Sequence, residues 1–145
     1  MVFYIKGRRW RLTQDKKYEK LPLKNPTGYT DSRRRVIYLN PDSTERTKME
    51  VCMHELIHAV GRELHISLLA GPSCDEIVVW ELTRAYTQHL FQGNGFYRRS
   101  KKIGGFLVCY IAHAILHKYG VPRDQINEFC KEYASLVFDV TFQLF

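Results

Sequence analysis

Three side chains within five residues can do metal chemistry: His54, Glu55 and His58, in the order H-E-x-x-H. On a helix, positions i and i+4 share a face one turn apart, so the two imidazoles can chelate one Zn2+. Glu55 then stands beside the ion, its carboxylate within reach of a water that the ion polarises. A zinc ion, two histidines and a glutamate base are the minimal machinery of a metallopeptidase, with Glu55 as the candidate catalytic residue. The setting argues against a chance motif: it sits on a strongly periodic helix, after a strand and before an acidic helix start.

Two histidines leave a tetrahedral catalytic site incomplete, so a third protein ligand is needed, with water in the fourth position. Glu76, near the start of the following helix, is the favoured donor, because the site needs an anionic partner and the spacing suits one. Glu76 has a competing role, since Ser73-Cys-Asp-Glu76 reads as a capping box. Glu81 and Asp75 are the alternatives on the same helix. His65 would imply the metzincin pattern H-E-x-x-H-x-x-G-x-x-H; Gly61 is in place, but the histidine comes one residue late and no methionine follows Met53. His65 therefore reads as a loop residue or one standing behind the ligands, though with Glu81 it stays an alternative for the third ligand. His89 reads as a partly buried polar side chain, or else as a hydrogen-bond donor to the transition state. His113 and His117 form a second i, i+4 pair, with Ala114 where a base would stand, and read as packing rather than a second site. The expected metal set is His54, His58 and Glu76, holding one Zn2+ per chain.

The elements around these residues read as follows. Val2 to Lys6 and Trp10 to Thr13 flank a Lys-Gly-Arg turn and predict a hairpin. Lys16 to Asp31 is polar, carries Pro22, Pro26 and Gly28, and reads mostly as loop; Arg35 to Asn40 reads as a strand ended by Pro41. The motif helix is expected to start at Asp42 or Ser43, with Asp42 and Glu45 as a capping box. Met49, Cys52, Met53, Leu56, Ile57 and Val60 keep its apolar face at i, i+3, i+4, i+7, and Gly61 marks an end or kink. A second helix is expected from Ser73 to about Phe91, a third from about Ile103 to Tyr119, and a last one from about Arg123 onward. That last helix should bury Ile126, Phe129, Cys130, Tyr133, Val137 and Val140. The expected fold class is α+β: a small antiparallel N-terminal sheet (1–41), then the H-E-x-x-H helix and a helical C-terminal body (42–145), in one domain (1–145).

A strand ending Val-Ile-Tyr-Leu, a short polar link, Met-His-Glu-Leu-Ile-His-Ala-Val-Gly and then Asp75-Glu76-Ile-Val-Val resembles the small zincin-like metallopeptidases of phages and prophages. It is distantly similar to the ImmA/IrrE-type and SprT-like domains. The resemblance spans about residues 28 to 92. In gluzincin-type members it implies His54, His58 and Glu76 as zinc ligands and Glu55 as general base. SprT-like proteins use a third histidine, which His65 matches poorly, and Ile77-Val78 stands where the ImmA/IrrE pattern usually has alanine-asparagine. Residues from Gly93 on carry no resemblance.

The implied activity is peptide-bond hydrolysis by metal-activated water, with Glu55 relaying the proton to the leaving amine. The strand Arg35 to Asn40 is the candidate to pair with an extended substrate. Tyr38, Arg84, Tyr86 and His89 are candidates for oxyanion support. The rival reading is a catalytically retired zincin-fold binding or structural protein, a phage or regulatory component. A weaker third is a basic nucleic-acid-binding module with incidental histidines. The intact Glu55 favours the enzyme.

At 145 residues and a formal charge of +7, the chain is long enough for a real core and distinctly basic. Three basic clusters, Arg8-Arg9-Trp-Arg11, Arg33-Arg34-Arg35 and Arg98 to Lys102, read as solvated surface or as docking sites for nucleic acid or an acidic protein. Met1 to Ile5 is apolar but basic residues follow at once, the reverse of signal-peptide order, and Gly104 to Leu116 is too short to span a bilayer. Cys52, Cys74, Cys109 and Cys130 lack C-x-x-C spacing and read as reduced core thiols. A cytoplasmic protein is expected, in the host cytoplasm if phage-encoded, with a protein or peptide substrate and no membrane partner.

Overall fold

The computed structural model describes residues 1–19, 27–70, 75–90 and 101–144. The chain is α+β. Strands β1 (Val2–Ile5), β2 (Arg8–Thr13), β3 (Gly28–Asp31) and β4 (Val36–Leu39) form a four-stranded sheet. Helices α1 (Glu45–Glu63), α2 (Glu76–Leu90), α3 (Lys101–Lys118) and α4 (Arg123–Leu144) follow.

The β1–β2 hairpin forms as expected. Its two-residue turn places Lys6 at φ 50° and Gly7 at φ 75°, the left-handed pair whose twist matches the strands it joins. The sheet order is β1-β2-β4-β3. β1–β2 and β3–β4 are antiparallel, but β2 and β4 run parallel, with Arg11 opposite Val36 and Thr13 opposite Tyr38. The sheet is therefore mixed rather than antiparallel throughout. After β2 the chain crosses to the far edge, forms β3, and turns back so that β4 slots between β2 and β3. The segment read as loop thus contains an edge strand. Gly28 lets it approach closely, since a Cβ there would lie 2.6 Å from both the Tyr38 carbonyl oxygen and Cγ1 of Val51.

One face of the sheet, built from Phe3, Ile5, Trp10, Leu12, Ile37 and Leu39, packs against α1 in a single buried cluster that also draws on all four helices. α1 is the central element, touching β1, β3 and β4 on one side and α2 and α4 on the others. Burial is continuous from Val51 to Ile57 and from Ala59 to Gly61, which suits a helix surrounded by neighbours. It begins later than expected. The Asp42 carboxylate is engaged by Lys16 and the Asp42 N–H by the Asn40 side chain, so Thr44 caps the helix, its hydroxyl accepting from the Thr47 N–H at 3.2 Å. It also runs past Gly61. Its last turn closes when Ile66 N–H donates to the Gly61 carbonyl and His65 N–H to that of Arg62, with His65 in the left-handed position at φ 57°.

The buried face expected for the last helix is the face α4 buries: Ile126, Phe129, Cys130, Tyr133, Val137 and Val140. Tyr133 stacks between Tyr86 and Phe129 and donates to the Met53 carbonyl at 3.0 Å, which ties the C-terminal helix to the motif helix. Cys52, Cys109 and Cys130 are free thiols; Cys74 and the Arg98 to Lys102 cluster lie outside the residues whose side chains are described. Burial pushes the Cys52 thiol up to about 12. Among the described residues no helix is long and apolar enough to cross a membrane.

Candidate metal centre

α1 presents His54 and His58 toward the N-terminus of α2. The rings meet edge to face, and their Nε2 atoms are 3.2 Å apart. Glu76 is the first residue of α2. Its carboxylate approaches both rings, Oε2 at 3.0 Å from His54 Nε2 and Oε1 at 2.8 Å from His58 Nε2. The capping role that could have occupied Glu76 falls instead to Asp75, whose carboxylate accepts from the Ile77 N–H at 3.0 Å and whose carbonyl accepts from Val78 and Val79. Ser73, where this helix was expected to begin, lies outside the described residues.

The outer nitrogens of the two rings are already committed. Thr83 donates its hydroxyl proton to the Val79 carbonyl at 2.7 Å, so its oxygen accepts from Nδ1–H of His54 at 3.1 Å. Nδ1–H of His58 donates to the Leu69 carbonyl at 2.7 Å. Each ring is thereby fixed as the tautomer protonated at Nδ1, with Nε2 unprotonated. Two lone pairs and a carboxylate facing one point repel one another unless a cation or proton lies between them. The donor set therefore fits a divalent metal, and His54, His58 and Glu76 are the one such group among the described residues, their donor atoms all within 4.8 Å of each other. Trp80, one turn after Glu76, covers the His54 ring at 4.1 Å between centroids.

Burial holds the His54 pKa down at about 4, with the His58 charge adding to the effect and Glu76 opposing it. A neutral imidazole at pH 7 is the form that can ligate. Glu55 is also buried, and burial pushes its carboxyl above the usual range, against the hydrogen bond from Thr30 and the charge of His58. Thr30 lies on β3 opposite Ile37, facing α1, and its hydroxyl is within reach of both the Glu55 carboxylate and the Glu55 carbonyl. A cleft of about 440 Å³ joins these groups, lined by β3 and Ser32 on one side and by His54, Glu55, His58, Ala70 and Glu76 on the other.

Residues 16–74 match the model of the IrrE N-terminal-like domain, the family Peptidase_M78. Over this segment the chain is similar to the ImmA/IrrE-type zincin-like metallopeptidase domains. No curated protein and no solved structure matches the chain. The matched segment is under half of the 145 residues and takes in β3, β4 and all of α1. It stops short of Glu76 and of Ile77-Val78, where the chain departs from the alanine-asparagine pair. The place of Glu76 beside the two histidines thus rests on geometry alone.

Several residues singled out in the sequence lie elsewhere. Glu81 accepts from Lys118 and from the Tyr119 hydroxyl, and His65 is exposed in the turn that ends α1. Asp75 caps α2. His89 is exposed rather than partly buried, Arg84 is exposed, Tyr86 is buried with its hydroxyl on the Val108 carbonyl, and none of them lines the cleft. Tyr38 is fully buried and likewise absent from the cleft. β4, expected to run along the cleft, is an interior strand paired on both sides, so the edge facing the cleft belongs to β3. His113 and His117 line a separate groove with Tyr110, Arg123 and Ile126. Thr30 and Thr83 were missed. A threonine carries no chemical signal in sequence, and both matter through what the fold sets opposite them.

Proposed function

We propose that the chain is a zinc-dependent endopeptidase that cuts an extended polypeptide lying along β3. The observation that carries this reading is the convergence of His54 Nε2, His58 Nε2 and the Glu76 carboxylate on one point, beside a buried Glu55 that opens onto the same cleft. His54, His58 and Glu76 would hold the ion. Zinc bound there supplies a Lewis acid that polarises a water molecule and the substrate carbonyl.

The chain's own groups do the rest. Glu55 takes the proton from the attacking water and hands it to the leaving amine. Its burial favours the protonated form, which suits a group that must hold a proton between those two transfers. The Thr30 hydroxyl fixes the carboxylate's direction. β3 is the last strand in the sheet order, so its outer backbone groups can pair with an extended substrate and set its register across the site.

The test is to measure zinc per chain and cleavage of a mixed peptide library together, for the wild type and Glu55→Gln. The reading predicts one zinc in both proteins and cleavage in the wild type alone. A wild-type protein that holds its zinc and cuts nothing in the library would replace it with the retired zincin-fold binding protein.

A further inference from the structure

The parallel pairing of β2 with β4 brings together two arginine clusters that the sequence keeps apart. With Arg11 opposite Val36, the start of β2 and the β3–β4 turn lie at the same end of the sheet. Glu63 marks the meeting point. Its buried carboxylate accepts from Arg35 Nε at 2.6 Å and Trp10 Nε1 at 3.0 Å, and lies 3.4 Å from Arg8 Nε. Glu63 thus neutralises the inward-reaching members of both clusters. Arg34 is 3.9 Å from Asp31, while Arg9 and Arg33 are exposed and make no ion pair among the described residues.

The charge has an aromatic neighbour. Phe3, Trp10 and Leu12 face α1, so by strand alternation Val2, Tyr4, Arg9 and Arg11 face the opposite side of the sheet, and all four are exposed. The hairpin register sets Tyr4 across from Arg9 and Val2 across from Arg11. Tyr4 keeps 59% of its surface in solvent although it sits in a regular strand. Arg11 is steadied against Tyr18, its guanidinium 5.1 Å from the ring centroid and donating to the hydroxyl. Lys17 approaches the same ring at 5.3 Å. An exposed aromatic ring with Arg9 across from it and Arg11 on the neighbouring strand, on the outer face of the β1–β2 hairpin, combines the two elements that hold single strands: stacking for a base and cations for the phosphates. An acidic protein surface would use the charge but has no need of the ring, and a second copy would set like charges face to face.

We infer that this outer sheet face binds single-stranded nucleic acid, with Arg9, Arg33 and Arg34 on phosphates and Tyr4 stacked on a base. The site is separate from the metal centre, which lies between β3, α1 and α2, so zinc removal leaves nucleic-acid binding unchanged.

The experiment is fluorescence anisotropy with a labelled oligothymidylate and a labelled duplex over a salt series, with thermal melts to confirm that each variant is folded. Wild-type affinity for the oligothymidylate should fall with a log–log salt slope of about −2. Combining Arg9→Ala, Arg33→Ala and Arg34→Ala should weaken binding at least ~10-fold and remove about two units of that slope. Tyr4→Ala should weaken oligothymidylate binding roughly 10-fold, with the slope and the duplex affinity unaltered. A triple variant with wild-type affinity and slope overturns the assignment. So does polyglutamate binding as tightly as oligothymidylate with Tyr4→Ala silent toward both, which would make the face a dock for acidic protein.

Discussion

Thr83 Oγ1 lies 3.1 Å from Nδ1 of His54 while giving its own proton to the Val79 carbonyl, so toward the imidazole it is an acceptor. One buried hydroxyl on α2 therefore decides which nitrogen of a histidine on α1 keeps its lone pair. This couples metal binding to the packing of two helices, since Thr83 is fully buried between them.

Replacing Thr83 by valine keeps the shape and removes the acceptor. Nδ1–H of His54 would be left unpaired in a buried site, and the ring's preference for the ligating tautomer would weaken. Zinc affinity should fall about 10- to 100-fold, measured by competition with a chromophoric chelator, and Thr83→Ser should restore it. Wild-type affinity in the valine variant would show that the hydroxyl does not orient the ring.

The ligand assignment makes a sharper statement. His54→Ala, His58→Ala and Glu76→Ala should each abolish stoichiometric zinc, whereas Glu81→Ala and His65→Ala should retain it. Because metal binds the folded state, chelation should lower the wild-type melting temperature by about 5–10 °C and leave the ligand-deleted variants unchanged. Elemental analysis and thermal melts check both halves. Full zinc content in Glu76→Ala would remove it from the site.

How far the site was legible in the sequence follows from how local each signal is. His54, Glu55 and His58 were readable because their geometry is a property of one helix. Glu76 was readable as an acid at a helix start, though which acid meets the two rings needed the structure: Glu76 lies beside both, Glu81 is held by Lys118 and Tyr119, and His65 fills the left-handed cap of α1. β3 was hidden because Gly-Tyr-Thr-Asp has no apolar alternation and becomes a strand by pairing with β4. The parallel β2–β4 pairing depends on a long crossover that no local pattern encodes. Tyr38 and Tyr86, plausible as oxyanion donors by type, turned out to be core residues, since a tyrosine's hydroxyl says nothing of where its ring is buried.

Thr30 should tune the general base. Its hydrogen bond favours the charged carboxylate of Glu55 against the effect of burial. Thr30→Val should therefore raise the Glu55 pKa and move the acid limb of the kcat/KM profile to higher pH, with zinc content unchanged. Glu55→Gln should keep zinc and lose hydrolysis altogether. An acid limb that stays in place in Thr30→Val would assign that limb to another group.

Acid should destabilise the zinc-free protein through His54. Its folded-state pKa, about 4, lies below the ordinary value of 6.5, so the unfolded chain binds the proton more readily. The stability contributed by keeping His54 neutral is complete above about pH 6.5 and is lost as pH falls toward 4, roughly 3 kcal/mol at most. Urea denaturation of chelator-treated protein at several pH values should show that slope, and His54→Gln should flatten it. An equal slope in the variant would place the titrating group elsewhere.

Gly61 links the fold to the site in a way that a single methyl can test. A Cβ on Gly61 would lie 2.5 Å from the Leu69 Cβ and 3.2 Å from the Leu69 carbonyl carbon, so relief requires moving backbone rather than swinging a side chain. The Leu69 carbonyl is also the acceptor for Nδ1–H of His58. Gly61→Ala should cost about 1–3 kcal/mol in stability and, by displacing that carbonyl, lower zinc affinity as well. Ala59→Gly, a buried change on the same helix, supplies the control: it should lower stability by cavity and backbone entropy while leaving zinc affinity near wild type. If both variants lost stability equally and neither lost affinity, the packing of α1 against the 66–70 turn would have no part in holding His58 to its ligating geometry.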